Sequence, residues 1–238
     1  FYRLCYLSPT QTRVQSRITK DAITRDIGCS PYPSALKHTF TQIGHIFSSM
    51  NQERKRPFSV KPIMEALKDH DDIHLERWGA WEGAETVVVW QSRIAGFATT
   101  MIGIENQSIQ RLSHSTDGPR QWQGGTLYPQ ASRKLARALN ASRGRYPVVI
   151  LANLSGFDGS PESLRLGQLE YGSEIAQAVQ RFTCPIYFII LSRYHGGAYV
   201  VFSKQLNPML EAIAIEGSYA SVIGGGPAAS IILKRDVH

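Results

Sequence analysis

The sequence predicts an α/β fold with largely parallel strands, and three observations support that prediction. Continuous apolar runs at residues 147–152 and 185–191 are typical of strands that are covered on both faces. Between them, residues 162–182 place apolar side chains at helical spacing. Because parallel neighbours need a long crossover, this order of strand, helix and strand favours parallel pairing.

Length and charge narrow the class of protein. The chain has 238 residues, of which 42% are hydrophobic, enough for one substantial core or for one core plus an extension. Its formal net charge of +7 suits a solvated basic surface, a nucleic acid, a membrane surface or a polyanion such as a coenzyme A ester. The basic residues form no stripe interleaved with aromatic side chains, so we favour the solvated surface and expect no nucleic-acid partner.

The cysteines Cys5, Cys29 and Cys184 are widely separated and show no Cys-x-x-Cys spacing. This pattern argues against a disulfide framework and a metal site, and it favours a reducing compartment, which we take to be the cytoplasm. No apolar run approaches the length of a membrane span. The chain begins at Phe1 without a recognisable signal peptide, so we expect an internal piece of a longer polypeptide.

Residues 1–56 differ from the rest of the chain, because two-residue periodicity is weak there and turn-forming residues interrupt the segment. Helical spacing of apolar side chains predicts a helix over residues 35–50. A charged patch followed by Pro57 marks a boundary. We therefore expect residues 1–56 to be an N-terminal extension or the tail of a preceding domain, and residues 57–238 to be the main domain.

Regular elements follow this boundary. A short helix is predicted over residues 62–67, where a proline occupies the first turn. Residues 85–90 predict a strand, and residues 94–104 predict its hairpin partner. A polar loop over residues 107–123 leads to a predicted helix over residues 127–141.

The last part of the chain continues the alternation of strands and helices. A glycine pair at Gly196 and Gly197 predicts the start of a short helix that extends to about Phe202. Residues 210–215 predict a further strand, which is followed by three glycines and by an apolar segment at residues 228–233.

Two loops that follow buried strands are the candidate site, because open α/β folds bind ligands at the carboxyl ends of their strands. The first loop spans residues 155–160 and the second spans residues 193–199. In the second loop, the small residues Gly196, Gly197 and Ala198 allow close approach of the backbone to a ligand. Their N–H groups at a helix start suit a developing oxyanion.

The first loop offers a second N–H donor, near Gly156 or Phe157. Spacing alone leaves another interpretation open, because glycines after a strand more often serve a tight turn or close packing of a helix on a strand.

Residues 56–235 resemble the C-terminal half of the carboxyltransferase component of acyl-CoA carboxylases. Several motifs carry this resemblance in the same order along the chain. They are Arg56-Pro57-Phe58-Ser59-Val60, similar to the Arg-Pro-Tyr-Asp motif that opens that half; Leu154-Ser155-Gly156-Phe157, at its Gly-Phe loop; residues 168–176; His195-Gly196-Gly197-Ala198-Tyr199, similar to its Gly-Gly-Ala-Trp/Tyr helix start; and Asn207-Pro208.

The resemblance implies a crotonase-like (ClpP/crotonase) fold, a spiral of ββα units. It implies transfer of a carboxyl group from carboxybiotin to the α-carbon of an acyl-CoA, with biotin itself as the base, so that no side-chain base is needed. The implied catalytic amides are those of Gly197 and Ala198, joined by Gly156 or Phe157. The implied biotin contacts are His195, Gly196, Gly197, Ala198 and Tyr199.

The resemblance also implies partners. These are an N-terminal carboxyltransferase half, biotin carboxyl carrier and biotin carboxylase domains that bind ATP in the complete enzyme, and further copies in a homo-oligomer. The implied role is fatty acid biosynthesis. Because nothing in residues 1–56 resembles the N-terminal half, we expect the isolated chain to be catalytically incomplete.

Two departures leave alternatives open. His195 stands where acetyl-CoA carboxylases often have Arg, and Ser155 replaces the common Pro or Arg before Gly-Phe. One alternative is a non-catalytic assembly domain of a large carboxylase. The other is a hydratase or decarboxylase of the same fold, which needs a carboxylate base. The acidic candidates for that base, more simply explained as a solvated helix face, are Glu162, Glu170 and Glu174.

Overall fold

A computed structural model of the chain describes residues 26–33, 40–54, 56–112 and 120–222. The α-helices in these ranges are α1 (Ile43–Ile46), α2 (Lys61–Leu67), α3 (Pro129–Ser142), α4 (Pro161–Arg165), α5 (Gln168–Gln180) and α6 (Gly197–Val201). Short 3₁₀ helices lie at Ile27–Cys29 and Ser49–Arg54. The strands are β1 (Leu75–Arg77), β2 (Val87–Ile94), β3 (Phe97–Ile104), β4 (Ile109–Gln110), β5 (Gln121–Trp122), β6 (Thr126–Leu127), β7 (Val148–Leu154), β8 (Gly156–Phe157), β9 (Ile186–His195), β10 (Leu210–Ala214) and β11 (Tyr219–Ser221). None of the helices in these ranges combines the length and the hydrophobicity needed to cross a bilayer.

The main sheet has the strand order β1-β2-β3-β7-β9-β10. Strands β1, β2 and β3 pair antiparallel, whereas β3, β7, β9 and β10 pair parallel. Strand β10 lies beside the first half of β9, and β11 pairs in parallel with the end of β9. The predicted hairpin and the predicted parallel pairing of the two buried runs are therefore confirmed.

The hairpin between β2 and β3 is closed by a two-residue turn in which both residues have positive φ. Ala95 has φ 51° and Gly96 has φ 79°, as expected of the turn type that matches the twist of two antiparallel strands. Ala95 is not a residue that favours this conformation, and Asp69 compensates. Its carboxylate accepts from the N–H groups of Ala95 and Gly96, both at 2.6 Å. The turn is thus stabilised by a side chain that lies before β2.

The helix predicted over residues 162–182 is two helices, so that prediction is wrong in part. Helix α4 ends at Arg165, and Gly167, with φ 85°, separates it from α5. The left-handed conformation of Gly167 breaks the helical path although the apolar spacing continues past it. The predicted polar loop also contains the short paired strands β4 and β5.

Two predicted elements fall partly or wholly outside the described residues. Only the later part of the helix predicted over residues 35–50 is described, and it consists of α1 and the start of a 3₁₀ helix. The segments at residues 224–226 and 228–233 lie outside the described ranges.

Hydrophobic side chains cover both faces of the main sheet. On one face, α3 and α5 bury residues such as Leu135, Leu139 and Ile175 against β7 and β9. On the other face, Tyr32, Phe40, Ile43 and Ile46 pack with β-strand side chains. The described part of the predicted N-terminal extension therefore contributes to the core of the main domain. The boundary at residue 57 stays a prediction.

Candidate functional site

The two predicted loops leave neighbouring parallel strands at the same edge of the sheet. The first follows β7 and forms β8, which pairs in parallel with β6. The second follows β9, where Gly196 adopts φ 64° and ψ −145°, a conformation open only to glycine, before α6 begins. The glycine at this position thus turns the chain from strand to helix.

Contacts between glycines and the opposite loop show that the two loops touch. A Cβ atom on Gly196 would lie 3.6 Å from Cα of Gly156 and 3.8 Å from the carbonyl oxygen of Ser155. A Cβ atom on Gly197 would lie 2.7 Å from Cδ2 of Phe157. The absence of a side chain at Gly197 therefore permits this packing, whereas a Cβ on Gly196 would make ordinary contacts. The structure brings together the residues that the sequence analysis selected.

The backbone amides of the second loop divide into engaged and unengaged groups. The N–H of Gly196 donates to the carbonyl of Val222, and the N–H of Tyr199 donates to the carbonyl of Gly196, both at 3.0 Å. Within the described residues, the N–H groups of Gly197 and Ala198 donate to no protein acceptor. First-turn N–H groups have no partner inside their own helix, so these two are available to an external acceptor.

The first loop adds a third amide. The N–H of Asp158 donates to the carbonyl of Leu127 in β6 at 3.0 Å. The N–H of Ser155 donates to the carbonyl of Gly125 at 2.7 Å, so the N–H groups on both sides of the pair Gly156 and Phe157 are engaged. The predicted additional donor stays Gly156 or Phe157. The role of each of these amides in catalysis stays a prediction.

His195 is held by the strand beside it. Its Nδ1 lies 2.9 Å from Oγ of Ser221 and 3.3 Å from the carbonyl oxygen of the same residue, which pairs with His195 across β9 and β11. The ring is half-buried, and its second nitrogen is the one left for a ligand. Its predicted contact with biotin is untested.

Tyr199 is partly exposed, and its ring packs against that of Tyr194 with the centroids 5.0 Å apart. The phenol of Tyr194 donates to the carbonyl of Phe202 at 2.7 Å and so fixes the end of α6. Burial raises the pKa of Tyr194, so this phenol stays protonated and remains a donor. Sequence reasoning did not identify this support of the second loop.

Arg193 and Asn153 are two further polar residues at this edge that sequence reasoning missed. Nε of Arg193 lies 3.4 Å from Oδ1 of Asn153, and Asn153 is completely buried. Burial lowers the pKa of Arg193 from its ordinary value. Arg193 could have been identified from the sequence, because it lies two residues before His195 inside the second predicted loop.

The acidic side chains considered as bases lie on the helices after the first loop. Glu170 and Glu174 are exposed on α5, as expected of a solvated face, and Glu162 lies in the first turn of α4. In the part of the chain that the structure describes, no group of three or more His, Cys, Asp or Glu residues is placed to hold a metal ion.

The sequence matches a family model. The model described as "Carboxyl transferase domain" matches residues 30–238. An acetyl-CoA carboxylase of Cryptosporiopsis sp. is 25% identical over 226 residues, which are 84% of this chain and 10% of that protein. The acetyl-CoA carboxylase of Schizosaccharomyces pombe is 32% identical over 165 residues, 64% of this chain and 7% of that protein. The chain thus spans a tenth or less of the length of these relatives.

Solved structures share the fold. The beta subunit of P. aeruginosa geranyl-CoA carboxylase superimposes with a TM-score of 0.61 at 24% identity, over 76% of this chain and 32% of that chain. Transcarboxylase 12S superimposes with a TM-score of 0.63 at 21% identity, over the same shares of 76% and 32%. These likenesses confirm the predicted crotonase-like α/β fold.

Proposed function

Because the chain belongs to the carboxyl transferase domain family, whose model matches residues 30–238, we propose that it is the C-terminal half of a biotin-dependent acyl-CoA carboxyltransferase. In this function it binds carboxybiotin and helps to transfer the carboxyl group to the α-carbon of an acyl-CoA. The observation that carries the proposal is the pair of unengaged N–H groups at Gly197 and Ala198, beside the ring of Phe157.

The residues present fit the ureido group of biotin. Its oxygen is an acceptor, and the amides of Gly197 and Ala198 are donors that face no acceptor among the described residues. When bound, carboxybiotin supplies both the carboxyl group and the base that removes the α-proton. The role of His195 and Tyr199 in this arrangement is to border the amides.

The chain's own contribution is electrostatic. The bonds that Gly196 and Tyr199 make within the protein fix the loop, so the amides of Gly197 and Ala198 need no reorganisation when negative charge develops on their acceptor. A fixed donor of this kind contributes roughly 3–4 kcal/mol to transition-state stabilisation. With the base supplied by the cofactor, the chain needs no side-chain acid or base.

Substrate and partners follow from the relatives. The structure of transcarboxylase 12S contains methylmalonyl-coenzyme A and was described as a hexamer. We extend acyl-CoA as a substrate, and assembly into an oligomer, to this protein. The other proposed partners are an N-terminal carboxyltransferase half, a biotin carboxyl carrier and an ATP-binding biotin carboxylase. Cytoplasmic fatty acid biosynthesis is the proposed setting.

A reconstitution tests this function. The chain is combined with its N-terminal carboxyltransferase half, on one polypeptide or as two, and transfer from malonyl-CoA to free biotin is measured as acetyl-CoA formation. We expect biotin-dependent turnover by the complex and none by the chain alone. A stable complex without turnover would reject the catalytic proposal in favour of the assembly domain, for which the replacement of Arg by His195 is the supporting observation.

A further inference from the structure

Three arginines and three aromatic rings alternate on the surface formed by α3, α5 and the segment from β1 to β2. We call this row the arginine ladder, and its members in spatial order are Arg77, Trp78, Arg137, Trp81, Arg133 and Tyr171. The central carbon of each guanidinium lies 5.0–5.8 Å from the centroid of each neighbouring ring. Cations at this distance are attracted to the face of an aromatic ring. The sequence shows no interleaved stripe because the fold brings these residues together from three separate segments.

The arginines of the ladder have no acidic partner. In the ranges that the structure describes, no carboxylate lies within ion-pair distance of Arg77, Arg133 or Arg137. Arg133 and Arg137 are exposed, and Arg77 donates to Oε1 of Gln91 at 3.0 Å. A guanidinium that packs on a ring still presents N–H donors along its edge, where a carboxylate binds through both oxygens. The ladder therefore offers unpaired cations to an acidic partner.

Local structure fixes both the rings and the arginines. Trp78 adopts φ 55°, in a region that large side chains rarely occupy, and this conformation sets the direction of its ring. Nε1 of Trp81 donates to Oε1 of Gln130 at 3.2 Å. Arg133 and Arg137 are four residues apart on α3, so their side chains lie on the same face of the helix. Because the ladder is already ordered, a partner loses little affinity in ordering it.

One end of the ladder lies beside the candidate site. Tyr171 precedes Gly172, at which a Cβ atom would lie 3.7 Å from Cζ of Phe157. Helix α3, which carries Arg133 in its second turn, begins shortly after β6, and β6 pairs with β8 at Phe157. A partner that covers this end of the ladder therefore lies next to the first loop.

The chemistry of the ladder selects among the classes of partner. Guanidiniums already lie over both indole rings, so a nucleotide base could stack there only by displacing them, whereas carboxylates bind the free guanidinium edges. A permanent subunit interface is expected to be more apolar than this charged row. Exposed charge instead accelerates the encounter of partners that meet and separate. Of the proposed partners, the biotin carrier is the one that must reach the site and leave it in each reaction cycle.

We infer that the arginine ladder is a docking surface for an acidic face of the domain that carries biotin. The inference deepens the proposed function and rests on it for the identity of the partner. Carboxylates of the carrier pair with Arg133 and Arg137, which orients the carrier so that its biotin enters beside Phe157. Free biotin lacks the acidic face of the carrier and reaches the site without contacting the ladder.

Carboxyl transfer to two acceptors tests this inference in the complex of the chain with its N-terminal half. Malonyl-CoA is the donor, and the acceptor is either free biotin or the biotinylated carrier domain. Combining Arg133→Gln with Arg137→Gln should raise the KM for the carrier at least tenfold and leave kcat and KM for free biotin within twofold. The matched control combines Arg143→Gln with Arg145→Gln, which removes the same charge from exposed positions outside the ladder. It should leave both KM values within twofold.

Salt dependence of the unchanged complex tests the docking surface without any replacement. Raising sodium chloride from about 50 to about 200 mM should increase the KM for the carrier several-fold, because salt screens exposed charges. The KM for free biotin should stay within twofold over the same interval.

A KM for the carrier that neither salt nor the double replacement raises would overturn the inference, as would an equal rise in the control. A short oligothymidylate that binds the unchanged complex but not the Arg133→Gln, Arg137→Gln variant, with no change in the KM for the carrier, would assign the ladder to nucleic acid instead.

The assay with free biotin separates this inference from the proposed function. Transfer to free biotin, together with an unchanged KM for the carrier in the double variant, rejects the docking surface alone. A complex that carboxylates neither acceptor rejects the proposed function. Calorimetric binding of the biotinylated carrier then decides on the ladder: binding at least tenfold weaker in the double variant supports the docking surface, and equal binding rejects it.

Discussion

Replacing Gly197 by alanine would place a methyl group against the ring of Phe157. The new Cβ would lie 2.7 Å from Cδ2 and 3.0 Å from Cε2 of that ring. Optimal carbon–carbon contact is about 3.5–4.0 Å, so the ring and the second loop must separate by roughly 0.8–1.3 Å. Because the proposed donor amides come from Gly197 and Ala198 in the second loop and from Gly156 or Phe157 in the first, this separation acts directly on the geometry of the site.

The size of the effect follows from the displacement. Overpacking of this kind costs roughly 1–3 kcal/mol in folding free energy, and each kcal/mol lowers Tm by about 2–4 °C in a domain of this size. A misplacement of about 1 Å at reacting groups lowers a rate about 100-fold. We therefore expect Gly197→Ala to lower kcat about 100-fold and to lower Tm by several degrees.

The assay compares carboxyl transfer from malonyl-CoA to biotin in the complex with thermal unfolding of the chain. Gly159→Ala is the matched control, since it lies in the first loop and a Cβ there would meet nothing within 4 Å. Combining Gly197→Ala with Phe157→Leu removes the ring that causes the clash. The double variant should have the Tm of the unchanged chain and a kcat at least tenfold higher than that of Gly197→Ala.

Two results would refute this reasoning. One is a Gly197→Ala complex with kcat within twofold of the unchanged complex. The other is a loss of kcat in Gly159→Ala equal to that in Gly197→Ala. It would show that an added methyl group disturbs the loops in general and does not act through Phe157.

Two further predictions concern stability. Burial lowers the pKa of Lys134 to about 8, so the unfolded chain binds more protons between about pH 8 and 10.5 and the free energy of unfolding should rise with pH across that interval. Lys134→Met should remove this rise and should stabilise the chain at pH 7 by roughly 2–3 kcal/mol, measured by urea unfolding. The control, the exposed Lys204→Met, should do neither. An unchanged pH dependence in Lys134→Met would show that Lys134 is not the group responsible. Asn207 is buried, and its Nδ2 donates to the carbonyls of Val179 and Phe182 at 2.6 and 2.8 Å. Asn207→Ala should therefore lower the free energy of unfolding by about 2–4 kcal/mol, whereas the exposed Asn140→Ala should lower it by less than about 0.5 kcal/mol. Equal losses would show that the two buried carbonyls do not need this donor.

The sequence was most informative where one interaction dominates. The runs at residues 147–152 and 185–191 are apolar throughout because both faces of β7 and β9 are covered. Their amino-acid composition was therefore sufficient to predict two buried strands. The glycine pair was recognisable because Gly196 must adopt a positive φ and because the two loops come too close for a side chain at Gly197.

The remainder depends on pairings that no local pattern encodes. The contact between Asn153 and Arg193 requires the register of β7 and β9 and the bulge between them. The hydrogen bond between Ser221 and His195 depends on the pairing of β11 with β9. Strand β11 is only three residues long and mostly exposed. The break at Gly167 was missed because a glycine inside a helical pattern is more often tolerated than disruptive.

A structure of the complex with biotin bound measures the central geometry most directly. The account predicts that the ureido oxygen lies about 2.7–3.1 Å from the backbone nitrogens of Gly197 and Ala198, with the N–H of Gly156 or Phe157 facing the same oxygen. An oxygen bound elsewhere, with the amides of Gly197 and Ala198 donating to the protein's own carbonyls, would contradict it.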